Sequence, residues 1–525
     1  MSVAALSDGS AVAWNLMTGT LMKYGLLAVN VGLGLFLMPF TIRHLGTAEY
    51  GLWMLVASTT YYFQLLDLGY GSGLVRHVAE ADARRDTGLV NQILSTFVVV
   101  YSGLGLVAAG GMAALILWGV PHFPNLPPEQ VARAQALLAL MGVRIAIGFP
   151  MTVFGAATTA RQRFALNNAV AIAVALVNGA VTYVVLGSGF GLLTLVAATT
   201  AISLLSYAAY AWTAKQAFPE LRLRLSAFSR TLVKDVTAFS MYLFIIDIAI
   251  QIGFNLDNMV IAAALGTSAV AVYAIALRFA DCQRQLCNQF NSLLFPVAVR
   301  LEAAGHSGAM PAMLVDGTRI ALTLVVGVTV CLIGFASPLV TAWMGAGFEA
   351  TIAPLYVLAF AGIVLVGQGP LGNVLLSTGR HRLVAIVCLG EALVNLILSL
   401  LLVRRYGILG VAIGTAVPVV LANLLILAPA ACRQVGLRST ELLRLVAIAP
   451  LAGALPSALV VVVLRQSVPA ESLPAVLLQG SLVGGVYLAS VCAFGLSSVE
   501  RARYFDYLRR FVAASPIGRL KAAQV

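Results

Sequence analysis

Residues 24–42 read YGLLAVNVGLGLFLMPFTI, a run with no Asp, Glu, Lys, Arg or His. A helix over it would be about 28 Å long, close to the thickness of the hydrocarbon core of a bilayer. Comparable runs follow at 50–75, 92–119, 134–158, 165–186, 191–213, 236–264, 268–298, 318–341, 352–377, 383–403, 407–430, 442–464 and 473–496. Of the 525 residues, 60% are hydrophobic and 10% are charged, and the mean hydropathy is +0.96. Soluble domains are nearer about 45–50% apolar and 25% charged. A water-soluble fold cannot hide this much apolar surface, so the bilayer is the solvent. The expected fold class is all-α: a polytopic membrane protein of about 14 transmembrane helices. Residues Met1 to Thr20 lack a basic region followed by an apolar core and a small-residue cleavage site, so the first run is expected to stay as a span.

The net charge of +12 is not a nucleic-acid signature, because its placement follows the membrane. With the N-terminus inside, 24 of the 32 Lys and Arg fall on inner segments, 5 on outer segments and 3 within spans. That asymmetry is the positive-inside pattern. It predicts a bacterial inner-membrane protein with both termini cytoplasmic and its basic loops facing anionic lipid. The six cysteines form no CxxC pair, and five lie in apolar runs, where they read as small core residues. There is no HExxH, Walker loop, GxSxG or usable dinucleotide fingerprint, so neither an enzyme nor a metal or cofactor is expected.

The sequence repeats itself at a lag near 220 residues. Leu45-Gly46-Thr47 returns as Leu265-Gly266-Thr267, and Ala175-Leu176-Val177-Asn178 as Ala392-Leu393-Val394-Asn395. Arg161-Gln162-Arg163 is echoed by Arg380-His381-Arg382, and Gly189-Phe190-Gly191 by Gly407-Ile408-Leu409-Gly410. Each repeat holds six spans, so both halves insert in the same sense, the plan of transporters built from parallel repeats. The expected organisation is an N-terminal six-helix bundle over 1–214, a cytoplasmic linker over 215–235 and a C-terminal six-helix bundle over 236–432. Two extra spans follow over 433–498. The tail over 499–525 spaces Tyr504, Leu508, Phe511 and Val512 as an amphipathic helix would.

Charges inside spans cost free energy and usually face a cavity or a partner. The seventh run carries Asp247, Gln251, Asn255 and Asn258 on one helical stripe, with Asp257 off it. The eighth carries Arg278, Asp281 and Gln285 on a second stripe, with Arg284 to one side. Asp67, Arg76 and Arg144 lie in runs of the first half. These groups either bond helix to helix or line a hydrated cavity, and polar stripes on two consecutive spans favour the cavity. The candidate cavity residues are therefore Arg144, Arg278, Arg284, Asp281, Gln285, Gln251, Asn255, Asn258, Asp67 and Arg76. Asp247, Asp257 and Glu391 are carboxylates suited to a coupling H+ or Na+.

The stretch Met38 to Gly51, MPFTIRHLGTAEYG, continues into Leu65-Leu66-Asp67-Leu68-Gly69-Tyr70-Gly71 and Arg76. With Gly379-Arg380-His381-Arg382, Asn395 and Gly410, it resembles the polysaccharide-transporter flippases of the multidrug/oligosaccharidyl-lipid/polysaccharide exporter superfamily, which move O-antigen and exopolysaccharide repeat units. The resemblance spans roughly residues 20 to 500. It implies two six-helix bundles around a cationic cavity, alternating access, and an undecaprenyl-diphosphate-linked oligosaccharide as cargo. Membrane lipid and further polysaccharide-assembly proteins are the implied partners. A multidrug cation antiporter or a lipid II flippase of the same superfamily is the rival reading. A membrane glycosyltransferase or polymerase fits less well, because the longest outer loop, Gly119 to Arg133, carries only Glu129 and Arg133 as charges.

Overall fold

The computed structural model describes residues 3–303 and 308–496, together with 498, 500 and 501. Among the described residues every regular element is helical. The first half comprises α1 (Val3–Gln64), α2 (Tyr70–Ala83), α3 (Thr87–Ala114), α4 (Pro128–Ala160), α5 (Phe164–Gly187), α6 (Leu192–Ala217) and α7 (Arg230–Leu265). Then come α8 (Thr267–Ala303), α9 (Met310–Gly334), α10 (Ala336–Met344), α11 (Ile352–Gly367), α12 (Gly369–Ser377), α13 (His381–Ala422), α14 (Ala428–Gln434), α15 (Ser439–Ser467) and α16 (Leu473–Ser490).

Ten helical stretches are long and apolar enough to cross a membrane, counting described residues only. Two of them are much longer than one crossing. The stretch Leu21–Asp67 bends at Gly46, and α13 bends at Gly407. The expected runs 24–42 and 50–75 therefore meet at the first bend, and 383–403 and 407–430 at the second. The ten do not include α7 or α8, although these have 36 and 37 residues. Much of α7 lies outside the residues whose side chains are described.

The Leu-Gly-Thr repeat reappears as geometry. Gly46 sits at φ 80°, ψ 166° and Gly266 at φ 86°, ψ 172°. That backbone region is open essentially to glycine alone. Both glycines thus turn the chain in the same way between consecutive helical segments.

The chain divides into two compact units. The first is Met1–Ile275 with Cys388–Thr415, and the second is Ala276–Val387 with Ala416–Val525. The division does not fall at the linker over 215–235. The helix α7 packs along α1 and α2, which carries the first unit through it.

Within the first unit, α3 packs on α4, α4 on α6 and α1 on α5. Small residues let these backbones approach closely. A Cβ added at Gly105 of α3 would strike the Ala146 carbonyl of α4. An aromatic nest of Tyr70, Phe97, Tyr101 and Phe149 joins α2, α3 and α4 through edge-on and stacked contacts. In the second unit α9 is the hub, packed by α11 and α15. Tyr487 of α16 fits over Gly327 of α9 and Gly453 of α15, and its hydroxyl donates to the Thr323 carbonyl at 2.8 Å. Val461 of α15 also fits against Gly334 of α9, and Phe335, Val461, Val476 and Val483 form one core cluster, so both C-terminal spans are tied to their unit.

Candidate functional site: a polar cavity at a broken span

The run 50–75 reads as one continuous span, but the structure breaks it. The α1 helix ends at Gln64, and a 3-10 turn covers Leu65–Asp67. Leu68 (φ 52°) and Gly69 (φ 73°) then reverse the backbone before α2 restarts at Tyr70. A side chain at Gly69 would be strained by φ and would also meet the Ser240 carbonyl of α7 at 2.7 Å. Asp67 satisfies the restart. Its Oδ2 accepts the Gly71 N–H at 3.2 Å, and its Oδ1 accepts the hydroxyl of fully buried Tyr101 at 2.6 Å. Interrupted helices at membrane depth are tolerated where they are buried in protein or line a cavity.

This one lines a cavity. A space of about 790 Å³ lies within the first unit, against the break and the inward faces of α2, α4, α5 and α6. Its charged members are Asp67 and Arg144. Hydroxyls and amides surround them: Thr152 and Thr159 on α4, Asn167 on α5, and Ser203, Tyr207 and Tyr210 on α6. The Tyr207 hydroxyl donates to the Arg144 carbonyl at 3.1 Å, and Gly148 is what leaves it room. The half-buried Arg144 guanidinium forms no ion pair among the described residues, whereas both Asp67 oxygens already accept hydrogen bonds.

The other predicted residues lie elsewhere. Arg76 is exposed and pairs with Glu80 at 2.8 Å, a contact that holds the Glu80 carboxyl below its ordinary range. Asn258 is buried and donates to Ser58 at 2.7 Å, a bond between helices rather than part of the cavity wall. Arg278, Asp281, Arg284 and Gln285 belong to the second unit, where Asp281 pairs with Arg284. The side chains of Asp247, Gln251 and Asn255 lie outside the described residues, as does almost all of the tail 499–525. Glu391 is half-buried on α13.

Asp257 occupies a second, buried polar cluster in the first unit. Its Oδ2 accepts from Tyr273 at 2.7 Å and from Thr415 at 2.8 Å, and Asn395 also lies against the carboxylate. Asp257 Oδ1 is buried with no hydrogen-bond partner at bonding distance among the described residues. The Asn395 carbonyl oxygen is itself taken by Ser399 at 2.9 Å.

Reading for charges alone passed over the neutral wall. Its signal was present: Ser203, Ser206, Tyr207 and Tyr210 recur at three- and four-residue steps, one face of a helix. Gln283 was also passed over. It is buried and donates to Thr329 and to the Ala359 carbonyl, joining α8 to α9 and α11.

A helical membrane protein with a broken span beside a polar chamber is the build of a transporter. Solved structures agree on the fold. The chain superimposes with a TM-score of 0.67 on the lipid II flippase MurJ in an inward closed conformation, at 15% identity, covering 90% of this chain and 98% of that one. An inward-facing multidrug resistance MATE family transporter of the MOP superfamily also gives 0.67, at 15% identity, covering 78% and 94%. In sequence, the chain is 24% identical over 496 residues to the uncharacterized membrane protein EpsK of Bacillus subtilis (strain 168), covering 92% of this chain and 95% of that relative. Residues 17–302 match the family described as polysaccharide biosynthesis protein, and the chain belongs to that family.

Proposed function

We propose that the protein is a flippase that carries an undecaprenyl-diphosphate-linked oligosaccharide repeat unit from the cytoplasmic to the outer leaflet for surface polysaccharide biosynthesis. The observation that carries this reading is the cavity beside the broken span. It offers one ion-pair-free guanidinium, Arg144, amid hydroxyls and amides. A planar guanidinium matches phosphate oxygens two at a time, and hydroxyl and amide groups match sugars. The lipid tail stays in the bilayer while the head group crosses by alternating access. The polysaccharide family supports the sugar, and the flippase fold supports the lipid carrier. A cation antiporter would rely on a carboxylate in this cavity, and the one carboxylate lining it, Asp67, already serves Tyr101 and Gly71.

Asp257 is the favoured site for a coupling H+ or Na+, because it is a buried carboxylate surrounded by the hydroxyls of Tyr273 and Thr415 and by Asn395. Glu391 and Asp247 are the other candidates. The reading places the protein in the bacterial inner membrane with both termini cytoplasmic, alongside other polysaccharide-assembly proteins, and gives it no catalytic step.

The test replaces Arg144 by Ala and by Lys and measures surface polysaccharide at matched protein levels. Losing a charged hydrogen bond of about 1.5–3 kcal/mol predicts a fall of about 10- to 150-fold for Arg144→Ala. Arg144→Lys keeps the charge but not the fork and falls between. Normal polymer from well-expressed Arg144→Ala overturns the reading.

A further inference from the structure

The linker after α6 is held rather than loose. Asn91 on α3 donates to the Glu220 carbonyl at 3.1 Å and accepts the Arg222 N–H at 2.8 Å. Ser95 accepts the Arg224 N–H at 3.0 Å, and Thr96 accepts the Ser229 N–H at 3.1 Å. One face of α3 thus supplies a ladder of side chains that fixes the backbone of the linker.

This ladder creates a second cavity, of about 310 Å³. Arg222 and Arg224 flank it, and Gly88, Asn91, Gln92 and Ser95 of α3 line it. Neither arginine pairs with a carboxylate among the described residues, and the amides of Asn91 and Gln92 and the Ser95 hydroxyl share the cavity wall with them. Arg224 is extended and a 3-10 turn over Leu225–Ala227 follows it. Between and beyond the arginines stand Leu223, Leu225 and Phe228, with Leu225 74% exposed. Exposed large apolar side chains alternating with unpaired arginines suit neither water nor the bilayer core. They suit the boundary between head groups and acyl chains. The charge pattern of the sequence also assigns the basic linker to the side where 24 of the 32 basic residues gather.

We infer that this cavity binds the phosphodiester head group of an anionic phospholipid of the cytoplasmic leaflet. Arg222 and Arg224 take the phosphate, and Leu225 and Phe228 enter the acyl boundary. The linker then lies as a lipid-anchored strap on the inner end of α3. The inference stands on the linker alone and does not depend on the cargo of the transporter.

The experiment uses the full-length protein in nanodiscs of phosphatidylcholine, alone or mixed with phosphatidylglycerol. Phosphatidylglycerol retained on the protein is read by native mass spectrometry. At about one interfacial contribution per arginine, the double variant Arg222→Gln/Arg224→Gln retains it about 30-fold more weakly. The control Arg433→Gln/Arg438→Gln, which removes equal charge elsewhere, retains it like the parent. Equal melting of all three proteins in pure phosphatidylcholine shows that folding is intact. Two results overturn the inference: undiminished retention by the double variant, or an equal loss in the control.

Discussion

The broken span makes the sharpest prediction, through Asp67→Ala. The substitution removes the acceptor for the Gly71 N–H at the start of α2 and strands the hydroxyl of fully buried Tyr101. Loss of an acceptor at a helix start costs about 1 kcal/mol. A hydrogen bond between membrane helices contributes about 0.6–1.7 kcal/mol, less than in a dry core, because the unfolded chain in lipid also finds partners. Together the expected loss is about 1.5–3 kcal/mol, or a melting point lowered by about 3–6 °C for a unit of this size. Asp67→Asn keeps one acceptor oxygen, which can still cap the Gly71 N–H while its amide NH2 faces the Tyr101 oxygen, so it should cost less than Asp67→Ala. Tyr101→Phe removes the donor, and the double variant Asp67→Ala/Tyr101→Phe should cost less than the sum of the singles, because no hydroxyl is left stranded. The assay is thermal unfolding in detergent at one fixed scan rate, since membrane proteins often unfold irreversibly. Parent-like melting of Asp67→Ala, or strict additivity in the cycle, would refute the argument that this carboxylate holds the break together.

Gly51→Ala should be among the most damaging single-methyl changes in the first unit. The added Cβ would overlap the Thr267 carbonyl, with that residue's carbonyl carbon at 2.6 Å and the Ala271 nitrogen at 3.4 Å, all of it backbone that cannot swing aside. Overpacking of this kind costs about 1–3 kcal/mol, here toward the upper end, and folded yield measures it; a normal yield would show that the helices can separate freely at this point. Arg161 ties α4 to Asp82 at 2.9 Å and to the Ala217 carbonyl, and it lies over the Phe218 ring at 3.8 Å. Its change to Ala should cost about 2 kcal/mol, and Lys should recover only part of that; full recovery by Lys would mean that charge alone matters there.

Much of this protein was determined by its sequence alone. Apolar runs of bilayer length and the repeated Leu-Gly-Thr motif require only local pattern and the free energy of transfer into lipid. The structure adds that Gly46 and Gly266 share a backbone conformation that only glycine enters cheaply. Arg144 and Asp67 were found as site candidates because charge inside a span is costly wherever it sits. Tertiary structure decided the rest. Asn258 and Gln283 are the same kind of polar residue as Asn167, yet the first two bond helix to helix while Asn167 lines the cavity. The difference lies in which neighbour faces each side chain, and spacing along one helix does not carry that information. The break at Leu68 and Gly69 likewise depends on Ser240 of α7 pressing close and on Tyr101 reaching across from α3. Those contacts join residues far apart in the chain, so only the packed bundle could create them.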